Sequence, residues 1–148
     1  MKTNYKLRSF LSILLILSLS IIACEEDTVD PCHSTIASAK DIFVTARAQV
    51  LDENNVGIAG EQVTLKFEMH ACNGDILTHA TYTEETDSTG TIGPYTQKIT
   101  LFNTEDEAFI TASAPNLQST KRFANKTYHY NDFDDDDNVN YILTIKVQ

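Results

Sequence analysis

The stretch Val44-Thr45-Ala46-Arg47-Ala48-Gln49-Val50 alternates small or apolar residues with polar ones. After a turn-rich interval from Asp52 to Gly60, Gln62-Val63-Thr64-Leu65-Lys66-Phe67-Glu68-Met69 alternates again. Successive side chains on a β-strand point to opposite faces. This period of two therefore sets Val44, Ala46, Ala48 and Val50 on one face, with Thr45, Arg47 and Gln49 on the other. Outward from these two strands, Asn73-Gly74-Asp75 signals a turn and Ile76 to Thr83 reads as a third strand. Gln97 to Phe102 and Ala108 to Ala114 are two more, the latter ending at Pro115. Phe123 to Tyr130 is a sixth, and Tyr141, Leu143, Ile145 and Val147 mark a closing strand. Beyond the first two dozen residues no segment has helical periodicity. About seven short strands over about 108 residues predict an all-β chain folded as a single Greek-key β-sandwich.

A chain of 148 residues with 42% apolar and 22% charged residues has the size of one domain. It is neither a disordered polyelectrolyte nor a multispan membrane protein. Lys2, Lys6 and Arg8 are the only charges before Cys24, so 8 basic residues face 21 acidic ones thereafter. Such a surface repels phosphate backbones and argues against nucleic-acid binding.

The first residues form a three-part export signal. A basic segment precedes Phe10 to Ala23, an uncharged and mostly apolar run of 14 residues. That run is short for a membrane span, which needs about 20, and suits the core of a signal peptide. Ile21-Ile22-Ala23-Cys24 resembles the lipobox of bacterial lipoproteins. The resemblance implies cleavage before Cys24, diacylglyceryl attachment to its sulfur, and anchoring by two or three acyl chains. Glu25-Glu26-Asp27 directly after it is similar to the surface-export signal of Bacteroidota lipoproteins; a solvated acidic tether is the plainer reading. Asp27-Thr28-Val29 and Asp87-Ser88-Thr89 resemble that phylum's O-glycosylation triplet. Residues 1–23 are thus expected to be a signal peptide, 24–40 an acidic tether, and 41–148 the sandwich. Lipidation of Cys24 would leave Cys32 and Cys72, either as a disulfide or, with His33 and His70, as a Cys2His2 metal site.

Val50-Leu51-Asp52-Glu53-Asn54-Asn55-Val56-Gly57-Ile58-Ala59-Gly60-Glu61-Gln62-Val63-Thr64-Leu65 resembles the opening hairpin of bacterial immunoglobulin-like and carboxypeptidase-regulatory-like domains. Thr86-Asp87-Ser88-Thr89-Gly90 is similar to their central turn, and Phe109 to Pro115 to their late strand. The resemblance implies a fold of immunoglobulin or prealbumin type and brings no catalytic residues with it.

No phosphate loop, nucleophile elbow or His-Glu-x-x-His helix is present. His33, His70, His79 and His129 are scattered, and a sandwich of this size leaves little room for a walled cleft. A non-enzymatic chain is the expectation, with a small envelope hydrolase as the third-ranked alternative. The densest feature is Asn131-Asp132-Phe133-Asp134-Asp135-Asp136-Asp137-Asn138-Val139-Asn140. Its carboxylates repel unless water or a cation intervenes. Asp132, Asp134, Asp136 and Asn138 begin like a calcium loop, but Asp137 and Leu143 fall where an EF-hand needs Gly and Glu. A hydrated hairpin tip that keeps the surface soluble is the competing reading. Nearby Tyr128, Tyr130, Phe133 and Tyr141 offer a sugar-stacking platform or ordinary packing partners.

The expectation is a lipid-anchored module on the bacterial outer-membrane surface, with a periplasm-facing anchor as the alternative. Its loops would meet a protein or glycan partner, and it would require no cofactor. The runner-up is a Ca²⁺-dependent carbohydrate-binding accessory domain that uses the 132–140 loop.

Overall fold

A computed structural model describes Cys32, residues 38–118 and residues 122–147. The expected signal sequence, the lipobox-like Cys24, the acidic residues after it and His33 lie outside the described residues. Seven strands form two sheets. They are β1 (Lys40–Leu51), β2 (Gln62–His70), β3 (Ile76–Glu85), β4 (Thr91–Leu101), β5 (Glu107–Ser113), β6 (Phe123–His129) and β7 (Asp137–Lys146). One sheet has the order β4-β1-β7 and the other β3-β2-β5-β6. All neighbours are antiparallel except β1 and β7, which run parallel. The chain is a single β-sandwich compatible with an immunoglobulin-like fold, with its own partition of strands. The constant-type order groups the first, second, fourth and fifth strands, whereas here the first pairs with the fourth and seventh.

The inward rows are those the alternation marks. Val44, Ala46, Ala48 and Val50 of β1 and Val63, Leu65 and Phe67 of β2 are fully buried, with Met69 nearly so. They meet Ile92, Ile99 and Leu101 of β4, Ala108, Ile110 and Ala112 of β5, and Leu143 and Ile145 of β7. Burying a branched aliphatic side chain contributes about 1.5–3 kcal/mol, so these two inner rows supply the main driving force. Tyrosine pairs close both flanks between the sheets. Tyr82 stacks on Tyr95 at 3.9 Å where β3 faces β4. Tyr128 meets Tyr141 edge-on at 6.4 Å where β6 faces β7.

The register sorts the connections into two ends. Lys40 at the start of β1 pairs with Leu101 at the end of β4. Glu107 at the start of β5 pairs with His70 at the end of β2 and His129 at the end of β6. The end where the chain enters β1, here the proximal end, therefore gathers the β2–β3 turn, the β4–β5 turn and the acidic β6–β7 connection. The distal end carries the β1–β2 loop, the β3–β4 turn and the β5–β6 connection.

Each end has a polar hub. At the distal end Thr86 is buried. Its hydroxyl donates to the Ile58 carbonyl at 2.7 Å and accepts from the Glu61 amide at 3.0 Å. At the proximal end the buried Asp106 carboxylate accepts from the amides of Cys72 (3.0 Å), Phe102 (2.8 Å) and Asn103 (3.0 Å). Beside it Cys32 and Cys72 form a disulfide with Cα atoms 5.5 Å apart. Both sulfurs are consumed in that bond, which removes the Cys2His2 reading, since a zinc site needs free thiolates.

Candidate functional site

The acidic tract is a loop only over residues 133–136. Tyr130–Asp132 make a short 3-10 turn, and from Asp137 the chain is already in β7. Asp137 to Asn140 lie alongside Ile42 to Thr45 of β1. Of the four residues singled out as calcium ligands, one carboxylate caps a local turn and the others bond through their main chain or side-chain amide. An Asp132 carboxylate oxygen accepts from the His129 amide at 2.9 Å. The Asp134 amide donates to the Asp137 carboxylate at 2.9 Å. Asp136 occupies the left-handed region with φ 65°, and its carbonyl accepts from the Asn138 amide side chain at 3.2 Å.

A different trio comes together. The carboxylates of Asp41, Asp135 and Asp136 have oxygens within 4.8 Å of one another. The Asp41 amide donates to Asp135 at 2.8 Å, and the Asp136 amide donates to the Asp41 carbonyl at 2.8 Å. A cation is present in the chain itself: the Lys98 ammonium lies 2.5 Å from Asp41. The hydrogen bond to Asp41 raises Lys98 above the ordinary lysine range, reinforced by the charges of Asp41, Asp136 and Asp135. Lys98 and Thr100 in turn hold Asp41 below the ordinary carboxylate range. A second lysine, Lys40, donates to the Phe133 carbonyl at 2.7 Å and lies over the Tyr130 ring at 4.2 Å. Lys98 thus offsets part of the repulsion within the trio.

Three of the four rings of the expected platform are core residues. Tyr128, Tyr130 and Phe133 are each under a tenth exposed, whereas Tyr141 is 40% exposed. Phe133 meets Tyr128 at 5.3 Å, and the Tyr130 hydroxyl donates to the Ser38 carbonyl at 2.6 Å. These rings close a flank and the proximal end; only Tyr141 is left to face a ligand.

Two of the scattered histidines share a row. His70, Glu107 and His129 are cross-strand neighbours on the outer face of the larger sheet. His129 Nδ1 is 2.9 Å from Glu107, and His70 lies against Phe109 with ring centroids 4.7 Å apart. His79 occupies a bulge of β3, where Phe67 pairs with Ala80 and Glu68 with Thr78. Near His70, Glu68 is buried although it belongs to the outward row. Burial pushes its carboxyl up, but the Lys66 ammonium at 2.8 Å and the Thr78 hydroxyl pull it down further, to a position below the ordinary glutamate value. Among the described residues no histidine joins three or more metal-ligating side chains.

A scan against protein-family models finds no match, and a search of curated proteins finds none either. Function must therefore be argued from the residues themselves. The feature that sequence reasoning passed over is a groove on the outer face of the β4-β1-β7 sheet, lined by Thr45, Arg47, Pro94, Asn140, Tyr141 and Ile142. Its one signal in the sequence is Arg47, the sole charge on the polar face of β1 between Thr45 and Gln49.

These electrostatics set a pH profile. Asp41, Glu68 and Asp87 titrate below their ordinary values, Asp87 because Thr89 and Thr91 donate to it. Burial lowers His79 as well. Groups depressed by folding contribute stability above their unfolded pKa and lose it as pH falls through the folded one. Stability should therefore decline gently below about pH 6.5, where an unfolded histidine begins to protonate, and steeply below about 4.5. Tyr95, pushed up to about 12 by burial and Glu84, has the opposite sign, as does Tyr128, raised by burial. Raised groups lose their contribution as pH climbs above the unfolded value near 10. Melting temperature measured from pH 3 to 11 should show a plateau between the two limbs, with Asp41→Asn and Asp87→Asn flattening the acid one. A flat profile down to pH 3 would contradict this account.

Proposed function

We propose that this chain is a lipid-anchored, surface-displayed, non-enzymatic binding or structural module of a Bacteroidota-type outer membrane. The observation that carries the reading is the Cys32–Cys72 disulfide. Disulfides persist in oxidising compartments, in keeping with the export signal that precedes Cys24. The bond also ties the segment after Cys24 to the proximal end of the sandwich. The acyl chains fix position, Glu25 to Pro31 span at most about 25 Å, and the body stands on its proximal end. In this orientation the acidic connection faces the membrane. The distal loops and outer sheet faces are what a protein or glycan partner meets. Lys98 beside the acidic trio weakens the calcium-dependent alternative and favours a module that needs no cofactor.

Protease shaving of intact cells compared with lysed cells tests the proposal. Degradation of the body in intact cells is the expected result, together with recovery of labelled acyl chains on Cys24 and their loss in Cys24→Ala. Protection until lysis would mean a periplasm-facing domain and a different role for Glu25-Glu26-Asp27.

A further inference from the structure

On the outer face of the β4-β1-β7 sheet, Ala46 pairs with Tyr95 and Ala48 with Ile92, so Gly93 and Pro94 together stand opposite Arg47. Bulges of this kind bend a strand and re-aim the side chain across from them. Here the bulge leaves an open groove of about 540 Å³ beside Arg47. Small-ligand sites span about 300–1,000 Å³. Arg47 is exposed, and among the described residues its guanidinium has no ion pair or hydrogen bond. Asn140 is exposed beside it, while the Thr45 hydroxyl shares a hydrogen bond with Thr96 at 2.7 Å. Ile142 is 54% exposed, and Tyr141 borders the groove with its ring turned to the flank against Tyr128.

The charge of this face is inverted relative to the rest of the chain. In a sequence with 21 acidic and 11 basic residues, the outward row of β1 carries Arg47 and one acid, Asp41, already paired with Lys98. The outward positions of β7 that pair with this row from Phe43 to Leu51 are Asn138, Asn140, Ile142, Thr144 and Lys146. An unpaired guanidinium on an acid-poor face suits a carboxylate, which it grips through two parallel N–H donors. The strand beneath the groove, β1, is hydrogen-bonded on both sides. The floor of the groove therefore offers an extended peptide no backbone to pair with, since strand addition would take place at the β4 or β7 edge, and a ligand seated in the groove is recognised by side chains.

We propose that the groove binds a saccharide carrying an isolated carboxylate. Arg47 holds the carboxylate, Asn140 meets hydroxyls, and Pro94 and Ile142 cover the apolar face of the sugar. The acidic remainder of the surface repels a polyanion, so the ligand carries its charge on an otherwise neutral chain. This inference deepens the proposed binding role and rests on it.

Calorimetric titration of the full chain in detergent micelles tests it. The probes are an aldobiouronic acid (one glucuronate linked to one neutral sugar), its methyl ester, and an end-capped Gly-Glu-Gly peptide. The acid should bind at least tenfold more tightly than the ester and the peptide. Arg47→Gln should lose at least tenfold with an unchanged melting temperature, and Arg47→Lys should fall between, since an ammonium cannot fork. No binding of the acid, equal binding of acid and ester, an unaffected Arg47→Gln, or a peptide that binds as well would each overturn the proposal. Failure here with shaving as expected removes the ligand class alone. Protection in the shaving experiment removes surface display and leaves the titration standing.

Discussion

Replacing Gly90 by alanine is expected to destabilise the sandwich by about 3 kcal/mol or more. An added Cβ would lie 2.4 Å from the Val50 carbonyl oxygen and 2.7 Å from the Gly57 Cα. Both are backbone atoms of paired segments, so neither can swing aside. The Gly90 φ of 75° adds the strain of a left-handed residue. The contact is reciprocal, because a Cβ on Gly57 would fall 2.0 Å from the Thr89 carbonyl oxygen. Around this contact the Val50 amide donates to the Gly90 carbonyl at 2.8 Å and the Ile58 amide to the Val50 carbonyl at 2.9 Å. The β1–β2 loop and the β3–β4 turn therefore lock together only if both glycines lack side chains. Gly60 is the control: its φ is 77°, but nothing lies within 4 Å of its added Cβ. Gly60→Ala should cost about 1 kcal/mol, the backbone strain alone. A domain of this size loses about 4–8 °C of melting temperature per kcal/mol. Thermal melts should therefore drop by roughly 12 °C or more for Gly90→Ala and by about 4–8 °C for Gly60→Ala. Equal small drops for both would show that the distal glycine contact does not constrain the fold.

The same contact explains which parts of the fold could be read from the chain. The motifs around Gly57 and Thr86 to Gly90 are local, so the resemblance to immunoglobulin-like and carboxypeptidase-regulatory-like domains pointed to a sandwich. The alternations of β1 and β2 were legible because each has one wholly buried face. Other starts were hidden. Thr91 to Thr96 contain Gly93-Pro94, which reads as a turn. In the sheet they form a bulge on an edge strand, where proline's missing N–H breaks no ladder. Asp137 to Asn140 are too polar to suggest a strand, and become one through parallel pairing with β1, a contact between opposite ends of the domain. Glu68 fits an outward position, yet it is buried between its cross-strand neighbours Phe109 of β5 and Thr78 of β3, beside the bulge at His79, which other strands bring to it.

Site residues followed the same division. A run of aspartates is visible in the sequence, but whether its oxygens converge depends on Asp41 and Lys98, which β1 and β4 bring to it. An aromatic on a strand can be seen, but whether it stacks on a ligand or closes a flank depends on the facing sheet. That is why Tyr128 and Tyr141, both aromatics of the predicted strands, differ so much in exposure. Arg47 was in plain view on a correctly read strand. Its groove was not, because Pro94 and Ile142 reach it only through sheet pairing.

Breaking the Cys32–Cys72 bond should have the second large effect, and it should act on position as well as stability. The bond joins residues 40 apart in sequence; closing a loop of that size stabilises by about 4 kcal/mol in the chain-entropy model. The local geometry should survive its loss, because Asp106 still accepts from the Cys72 amide and the Asn103 side chain still donates to the Cys32 carbonyl at 2.9 Å. Reduced wild type and a Cys32→Ser, Cys72→Ser variant should therefore shift the urea midpoint by the same amount while the folded state keeps its far-ultraviolet spectrum. A loss below about 1 kcal/mol would mean the cross-link hardly restricts the unfolded chain. In the proposed lipoprotein the bond also sets the height of the body above the membrane. With it, Glu25 to Pro31 limit the reach to about 25 Å. Without it, Cys32 is held by non-covalent contacts such as the Asn103 hydrogen bond, which open far more readily than a covalent bond, so the average reach grows. Energy transfer from labelled lipids to a dye on the distal turn should then weaken on reduction. Unchanged transfer would show that the anchor does not enter the sandwich through Cys32.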